Sequence, residues 1–241
     1  MDSRHSPGFA LTHWSVIQAA QGSDAAAART ALGRIYEMYS YPLYAFLRRR
    51  GCSPDEAQDL LQSFFVRMME KEFLQAVDPQ RGRFRTFLLT ALKHFVINEA
   101  ARDKAQKRGG GQLHLSLDQA EAESRYRTEP RYAVTPEALY ERRWALALLQ
   151  QVEERLAHEW LAAEKQALLR FLLPTLTRDA HSVPYAEIAR QTGTTLSAVQ
   201  NAARRLRQRF GELLRQELAA HVADPRDVED EVSSLLEILA R

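Results

Sequence analysis

The stretch from Val183 to Phe210, VPYAEIARQTGTTLSAVQNAARRLRQRF, constrains the fold more than any other part of the chain. It holds two runs with helical apolar spacing, one containing Ile188 and the other Leu206, on either side of a short turn. Gly193 falls where the first run must end, because a left-handed helix cap costs little only without a Cβ. The pattern therefore predicts two helices that meet at a corner, with Ser197 as the N-cap of the second.

The second helix of this corner is expected to expose a polar and basic face. Amide side chains can hydrogen-bond to base edges, and guanidinium groups bind phosphates and bases. The alternative is an ordinary surface helix pair with a solvated arginine face. We interpret the corner as a helix-turn-helix whose second helix enters the major groove of DNA, and its exposed residues are Gln200, Asn201, Arg204, Arg205, Arg207 and Arg209.

The distribution of charge supports a polyanionic partner, although the net charge of the 241 residues is only +2. Basic runs occur at Arg48–Arg50, Arg81–Arg85, Arg102–Arg108 and Arg204–Arg209, whereas Asp224–Glu231 is acidic. Several separate basic surfaces fit an extended nucleic acid better than a small ligand.

Composition argues against several other classes of protein. Cys52 is the one cysteine, so no internal disulfide can form, and the histidines show no metal-ligand spacing. No constellation of acid, base and nucleophile can be located, so we expect no enzyme activity, no catalytic residues, no metal and no cofactor. The sequence shows no signal-peptide core and no apolar run of the roughly 20 residues that span a bilayer. We therefore expect a cytoplasmic protein without a membrane partner.

Helical periodicity dominates the rest of the chain, and 45% hydrophobic residues suffice for ordinary cores. The predicted fold is all-α, with two small helical domains joined by a flexible linker and a helix-turn-helix in the second domain. Helices are predicted at 12–20, 25–47, 55–71, 84–105 and 160–173. A further helix from Pro136 onward should carry Trp144, Leu148, Val152 and Leu156 on one face. The expected boundaries are a first domain at 1–108, a linker at 109–135 that begins with three glycines, a second domain at 136–222 and an acidic extension at 223–241.

Two helices of the first domain carry its candidate binding surfaces. The helix at 55–71 should begin with Ser53 as N-cap and Pro54 in the first turn, and it should leave a polar face free for a partner. The helix at 84–105 ends in a basic run that should attract phosphates. Phe84 lies at its start between Arg83 and Arg85, where an aromatic ring could stack on a base while its neighbours bind phosphates.

Three segments, in this order, resemble the sigma-70 class of RNA polymerase sigma factors, and most closely its extracytoplasmic-function (ECF) subgroup. DEAQDLLQSFFVRMMEK resembles the helix that binds the polymerase clamp, and GRFRTFLLTALKHFVINEAARDKAQKR resembles the segment that melts the promoter and reads the minus-ten element. YAEIARQTGTTLSAVQNAARRLRQRF resembles the reader of the minus-thirty-five element. The resemblance implies a factor that binds core RNA polymerase and directs promoter recognition, DNA melting and transcription initiation.

The resemblance also assigns roles to individual positions. Asp59 and Gln62 would face the clamp of the polymerase, and Glu56 and Ser63 share the polar face of that helix. Residues near the unstacked minus-ten bases would be Phe84, Arg85, His94 and Asn98, followed by the phosphate-binding Arg102, Lys104, Lys107 and Arg108. Residues that read or grip the minus-thirty-five element would be Ser197, Gln200, Asn201, Arg204, Arg205 and Arg207.

The chain departs from the family pattern at four positions. Gln58 and Ser63 are neutral where the family often has acids, His94 stands where Asn is common, and Gln200 stands where Lys or Arg is usual. Phosphorylation of Ser63 would restore negative charge to the clamp-facing helix, so a Ser/Thr kinase is one candidate regulatory partner and an anti-sigma factor is another.

Two rival functions stand beside the sigma-factor interpretation. A helix-turn-helix repressor or activator acting without core polymerase would bind a palindromic operator as a dimer, and it would not need the polar-faced helix at 55–71. An enzyme would need a dispersed active site that the sequence does not reveal. Copurification with core RNA polymerase separates the first rival from a sigma factor.

Overall fold

The structure is a computed structural model that describes residues 25–68, 83–103, 118–129, 134–162, 166–176, 183–222 and 224–241. All regular elements among these residues are helices, in agreement with the predicted all-α class. The chain divides into two compact units. The first unit combines residues 1–145 with residues 219–241, and the second unit is residues 146–218. The predicted helix at 12–20 lies outside the described residues.

Helices α1 (Ala25–Arg49) and α2 (Pro54–Met68) pack against each other in the first unit. The turn between them contains Gly51, whose φ of 99° favours a residue without a Cβ. Ser53 and Glu56 then form a reciprocal capping box: the Glu56 backbone N–H donates to the Ser53 hydroxyl at 3.2 Å, and the Ser53 backbone N–H donates to the Glu56 carboxylate at 2.7 Å. The predicted start of α2 is confirmed.

Helix α3 (Phe84–Asp103) makes aromatic contacts with both α1 and α2. The rings of Phe64 and Phe95 lie 5.7 Å apart, and the rings of Tyr39 and Phe84 lie 5.5 Å apart in an edge-on arrangement. Such pairs contribute about 0.5–1.5 kcal/mol each beyond simple area burial. The predicted end of this helix at residue 105 falls outside the described residues.

Helix α4 (Gln119–Arg127) lies in the segment that the sequence assigned to a linker. Asp118 caps its first turn, and the helix packs against α1 and α2. The Glu123 carboxylate accepts hydrogen bonds from Arg48 Nε at 2.9 Å and from the Tyr44 hydroxyl at 3.0 Å. Residues 118–129 are therefore a docked part of the first unit and not a free linker. The sequence missed the helix because only Ala122 of its nine residues is buried, so no apolar stripe marks it.

A buried carboxylate follows α4. Glu129 is 4% exposed, accepts a hydrogen bond from the Tyr41 hydroxyl at 2.7 Å and is paired with Arg143. These contacts hold Glu129, which follows α4, against α1 and against the next helix along the chain.

Helix α5 (Pro136–Ala162) begins at Pro136, as predicted, and runs through the boundary between the units at residues 145 and 146. Trp144, Leu148, Val152 and Leu156 are at most 2% exposed, which confirms the predicted buried face with its spacing of four residues. In the first unit, residues 219–241 contribute a 3₁₀ turn (Pro225–Asp227) and helix α9 (Val228–Ala240).

The second unit contains α6 (Gln166–Leu172), a 3₁₀ turn (Leu173–Thr175), α7 (Tyr185–Thr192) and α8 (Leu196–Leu218). Its core joins these helices to the second half of α5. The fully or nearly fully buried members of that core are Val152, Leu156, Leu172, Ile188, Val199, Ala202, Ala203, Leu206 and Leu213. A helix predicted at 160–173 is instead the end of α5 and the whole of α6, and residues 163–165 between them lie outside the described residues.

The turn between α7 and α8 is three residues long and ends α7 as the sequence predicted. Gly193 has φ 66° and ψ 25°, and its N–H donates to the Ala189 carbonyl. The N-cap of α8 differs from the prediction. The Thr195 hydroxyl, and not that of Ser197, accepts the hydrogen bond from the Ala198 backbone N–H at 3.2 Å, because α8 already begins at Leu196.

The contact-based units differ from the boundaries proposed from sequence. The sequence placed residues 136–145 and 219–222 in the second domain and residues 223–241 in a separate extension, whereas the structure groups all of them with the first unit. We refer to residues 219–241 below as the C-terminal segment.

Candidate nucleic-acid interface

The exposed face of α8 carries the predicted DNA-reading residues. Val199, Ala202, Ala203 and Leu206 are buried, so the helical period turns the intervening positions toward solvent. The exposed candidates are Ser197, Gln200, Asn201, Arg204, Arg205 and Arg207. The structure thus brings hydrogen-bonding amides and guanidinium groups together on one face of one helix.

Two arginines at the end of this row have protein partners. Arg207 Nη2 donates to the Tyr185 hydroxyl at 2.8 Å, which holds the guanidinium against α7. Arg209 donates to both carboxylate oxygens of Glu159, at 2.7 and 2.8 Å, and to Glu212 at 3.0 Å.

The bidentate pair of Arg209 has consequences for both partners. Hydrogen bonding to Glu159 and Glu212 raises the pKa of Arg209, and the Arg209 hydrogen bond lowers the pKa of Glu159. The sequence counted Arg209 among the exposed residues of the reading face. The structure instead gives it a positioning role, because it ties α8 to α5 and its charge is already matched by two carboxylates.

Phe84 and Arg85, predicted to contact unstacked bases, are buried. Phe84 is 0% exposed and Arg85 is 2% exposed. The ring of Phe84 packs on Tyr39 and Phe87, and its backbone N–H donates to the His221 carbonyl at 3.2 Å. In this conformation neither side chain can contact DNA, which corrects the expectation of solvent access at the start of α3.

The side chain of Arg85 is paired with Glu231 and Ser234 of the C-terminal segment and also lies over the ring of Trp144 in α5. Arg85 is ion-paired with Glu231, its Nη2 donates to the Ser234 hydroxyl at 3.0 Å, and its guanidinium carbon lies 4.2 Å from the centre of the Trp144 ring. Burial lowers the pKa of Arg85 to about 10, and the charge of Arg83 acts in the same direction. The guanidinium still carries its charge at neutral pH, so the buried site requires the counter-charge of Glu231.

The structure describes some, but not all, of the remaining candidates for DNA contact on α3 and in the basic run that follows it. His94 and Asn98 are exposed and lie four residues apart, so they share one face of the helix with each other. Ile97, beside them, is an exposed large apolar residue at 61% exposure. Arg102 belongs to the described helix although its side chain is not described, and Lys104, Lys107 and Arg108 lie outside the described residues.

Helix α2 presents the predicted polymerase-facing residues opposite its buried stripe. Ala57, Leu61, Phe64, Phe65 and Met68 are buried. Glu56, Asp59 and Ser63 are exposed, and Gln62 is half-buried. Hydrogen bonds from Ser53 lower the pKa of Glu56, so this carboxylate already has a capping role.

The sequence gives no local sign that Glu231 and Ser234 are the partners of Arg83 and Arg85. Glu231 and Ser234 sit on an ordinary amphipathic helix, and their contacts join residues about 150 positions apart, as in the 149-residue separation of Arg85 and Ser234. No local pattern carries such a pairing. The one available signal was the opposite charge of the basic run at 81–85 and the acidic run at 224–231.

The described residues contain neither a metal-binding cluster nor a membrane-spanning helix. Within the described ranges, no cluster of three or more His, Cys, Asp or Glu side chains could hold a metal ion. None of the helices in the described part of the chain combines the length and the apolar character needed to cross a membrane.

Comparison with known proteins gives one match. The family model Sigma-70 region 2 matches residues 35–106, about three tenths of the chain, which takes in most of α1 and all of α2 and α3. No curated protein and no solved structure matches. Residues 35–106 are thus similar to region 2 of the sigma-70 factors, a family of non-enzymatic transcription initiation factors that bind core RNA polymerase and promoter DNA.

Proposed function

We propose that the chain is a sigma factor of the ECF type that binds core RNA polymerase, recognises two promoter elements, melts DNA and starts transcription. The match of residues 35–106 to sigma-70 region 2 carries this proposal. It covers α2, whose polar face is the proposed clamp surface, and α3, whose exposed His94 and Asn98 are the proposed contacts to the minus-ten element.

The α7–α8 corner is the proposed helix-turn-helix that reads the minus-thirty-five element. Its support is the exposed row on α8 that begins near Ser197 and includes Gln200, Asn201 and two exposed arginines, Arg204 and Arg205. Amides next to guanidinium groups suit base edges next to phosphates. We assign Arg207 to the phosphate backbone, where the Tyr185 hydroxyl would orient its guanidinium.

Transcription in vitro tests the function as a whole. Purified core RNA polymerase, a promoter library and the full chain should yield specific transcripts, and the core enzyme alone should not. Asp59→Lys should abolish copurification with core polymerase, because it reverses the charge of the proposed clamp surface. Glu237→Lys, an exchange of the same kind at an exposed position on α9, is the control and should copurify normally.

Substitutions on α8 test the division between sequence reading and phosphate binding. Gln200→Ala should change which bases are preferred at the minus-thirty-five element, at about 1–3 kcal/mol of discrimination. Arg207→Ala should weaken binding to all sequences and reduce the slope of log K against log salt by about 0.9. Equal losses on every promoter variant for both substitutions would refute this division of roles.

A repressor or activator acting without core polymerase is the second candidate, because the α8 face would serve such a regulator equally well. Its signature would be dimeric binding to a palindromic operator. If the chain represses transcription directed by another factor, yields no transcript of its own and does not copurify with core polymerase, this candidate replaces the first.

Regulation by a partner is also proposed at α2. Ser63 is exposed on the same face as Asp59 and four residues from it, so phosphorylation by a Ser/Thr kinase would add about −1.5 to −2 charges to the clamp surface. An anti-sigma factor that covers α2 or α8 is the other proposed regulator. The cytoplasm is the proposed location, because core RNA polymerase and promoter DNA lie there.

A further inference from the structure

The start of α3 is covered by an acidic helix from the far end of the chain. Arg83 Nε lies 2.7 Å from the Glu231 carboxylate, and Arg83 Nη1 donates to the Ser234 hydroxyl at 2.8 Å. Arg85 binds the same two side chains, so Glu231 and Ser234 each contact both arginines. Glu231 is 0% exposed, and the side chain of Arg83 is 40% exposed.

The oxygen atoms in this contact resemble those of a phosphodiester. A carboxylate and a hydroxyl oxygen together offer the two guanidinium groups a compact, negatively charged set of acceptors. Guanidinium groups bind carboxylate and phosphate with the same planar geometry. Glu229 and Asp230, in the first turn of α9, add exposed negative charge beside the contact.

Few fully buried apolar side chains hold α9 against the rest of the first unit. Among its thirteen residues, Leu235 and Ile238 are the buried apolar side chains, while Leu236 is 61% exposed. A buried ion pair adds little net stability compared with apolar packing, because each charge is removed from water. A competing polyanion that binds Arg83 and Arg85 would therefore displace a weakly attached helix.

Residues 219–222, which precede α9, are held by contacts that do not involve α9. The Tyr39 hydroxyl and His221 Nδ1 lie 2.9 Å apart, and His221 is 0% exposed. Together with the bond from the Phe84 N–H to the His221 carbonyl, this contact holds residues 219–222 whether or not α9 is attached. The segment before α9 is therefore held by contacts of His221 that do not involve α9.

We propose that residues 224–241 form an autoinhibitory acidic cap, in which Glu231 and Ser234 occupy Arg83 and Arg85 and are displaced by the phosphates of single-stranded DNA. The inference rests on the proposed function, which places the start of α3 beside the melted strand. It adds that this site is closed in the free protein and that Arg83 and Arg85 become available when the cap leaves.

Binding of a fluorescein-labelled single-stranded DNA oligonucleotide tests the cap. The chain ending at Val222 and the full-length Glu231→Gln variant should each bind with a Kd about tenfold lower than wild type at low salt. Their salt slopes should be steeper by about 1.4, as expected for two additional phosphate contacts on a single strand. Glu237→Gln, an exposed position on the same helix, should bind like wild type. Adding Arg83→Ala to Glu231→Gln should remove most of the gain.

Hydrogen exchange on the unaltered protein supplies a second measurement that does not depend on the folding of a variant. Amides of residues 228–240 should exchange faster when the oligonucleotide is saturating, whereas amides of α1 should not. The proposal is overturned if the exchange of α9 is unchanged at saturation, or if well-folded Glu231→Gln and truncated chains keep the wild-type Kd and salt slope.

Transcription in vitro separates failure of the cap from failure of the proposed function. If the cap variants gain DNA affinity but no variant yields a transcript with core polymerase, the cap holds and the sigma-factor proposal fails. If wild-type protein yields specific transcripts while binding and exchange show no displacement of α9, the sigma-factor proposal holds and the cap fails.

Discussion

Replacing Gly193 should destabilise the α7–α8 corner through backbone conformation alone. The residue has φ 66° and ψ 25°, and the N–H groups of Gly193 and Thr194 both donate to the Ala189 carbonyl. A Cβ added at Gly193 meets no heavy atom within 4 Å, so no side chain has to move. The left-handed conformation costs alanine about 1–2 kcal/mol. Loss of freedom in the unfolded chain offsets about 0.4–1 kcal/mol of this, which leaves a destabilisation of about 1 kcal/mol.

Gly33→Ala is the matched control, because it adds the same atom in open space with the opposite expected sign. Gly33 lies inside α1, and a Cβ there also meets nothing within 4 Å. Its backbone is helical, so alanine should stabilise the first unit by about 0.5–1 kcal/mol. A comparison of Gly193→Ala with Gly33→Ala therefore separates the effect of backbone conformation on stability from that of side-chain packing.

Native-state hydrogen exchange measures the effect in each unit separately. Protection factors of the buried α8 amides should fall about fivefold in Gly193→Ala, the equivalent of about 1 kcal/mol. Protection in α1 should rise by a similar factor in Gly33→Ala. Unchanged protection of α8 in Gly193→Ala, or a rise in it, would refute the argument that the left-handed cap holds this corner.

Three further predictions concern the first unit. Glu123→Gln should lower its stability by about 1 kcal/mol at neutral pH. Because hydrogen bonding to Arg48 lowers the pKa of Glu123, this difference should be fully present above the ordinary carboxyl pKa of about 4.3 and be lost as the pH falls from there through the lowered pKa of the folded protein. Tyr41→Phe should destabilise by about 1–3 kcal/mol in urea unfolding, because it removes a donor from the buried Glu129 carboxylate. Ser63→Glu should bind core polymerase more tightly than Ser63→Ala, most clearly at low salt, and equal affinities would exclude the phosphorylation switch.

The parts of the fold that the sequence predicted are those encoded by local periodicity. The buried face of α5 repeats every four residues, and the N-cap at Ser53 and the glycine at 193 are local signals. These features need no knowledge of distant residues, because a helix specifies its own buried face and ends.

The parts that the sequence could not predict depend on contacts between distant residues. Phe84 looks like an exposed base-stacking residue when only its basic neighbours are considered, yet Tyr39 and the backbone of His221 enclose it. Helix α4 was not predicted, for a related reason. It is held to α1 by hydrogen bonds to the Glu123 carboxylate and not by an apolar stripe. Charge and hydrogen-bond pairing across long separations has no periodic signature.

The hydrogen bond between Tyr39 and His221 has a consequence for the order of folding. Its partners are 182 residues apart, so the first unit cannot be completed until the ribosome has made the whole of the second. At about 5–20 residues per second, roughly 10–40 s separate the synthesis of the two groups. During that time the pocket around Tyr39 and Phe84 lacks its last wall, and the nascent chain exposes apolar surface that a chaperone could bind. The unit that begins first along the chain is thus the unit that finishes folding last.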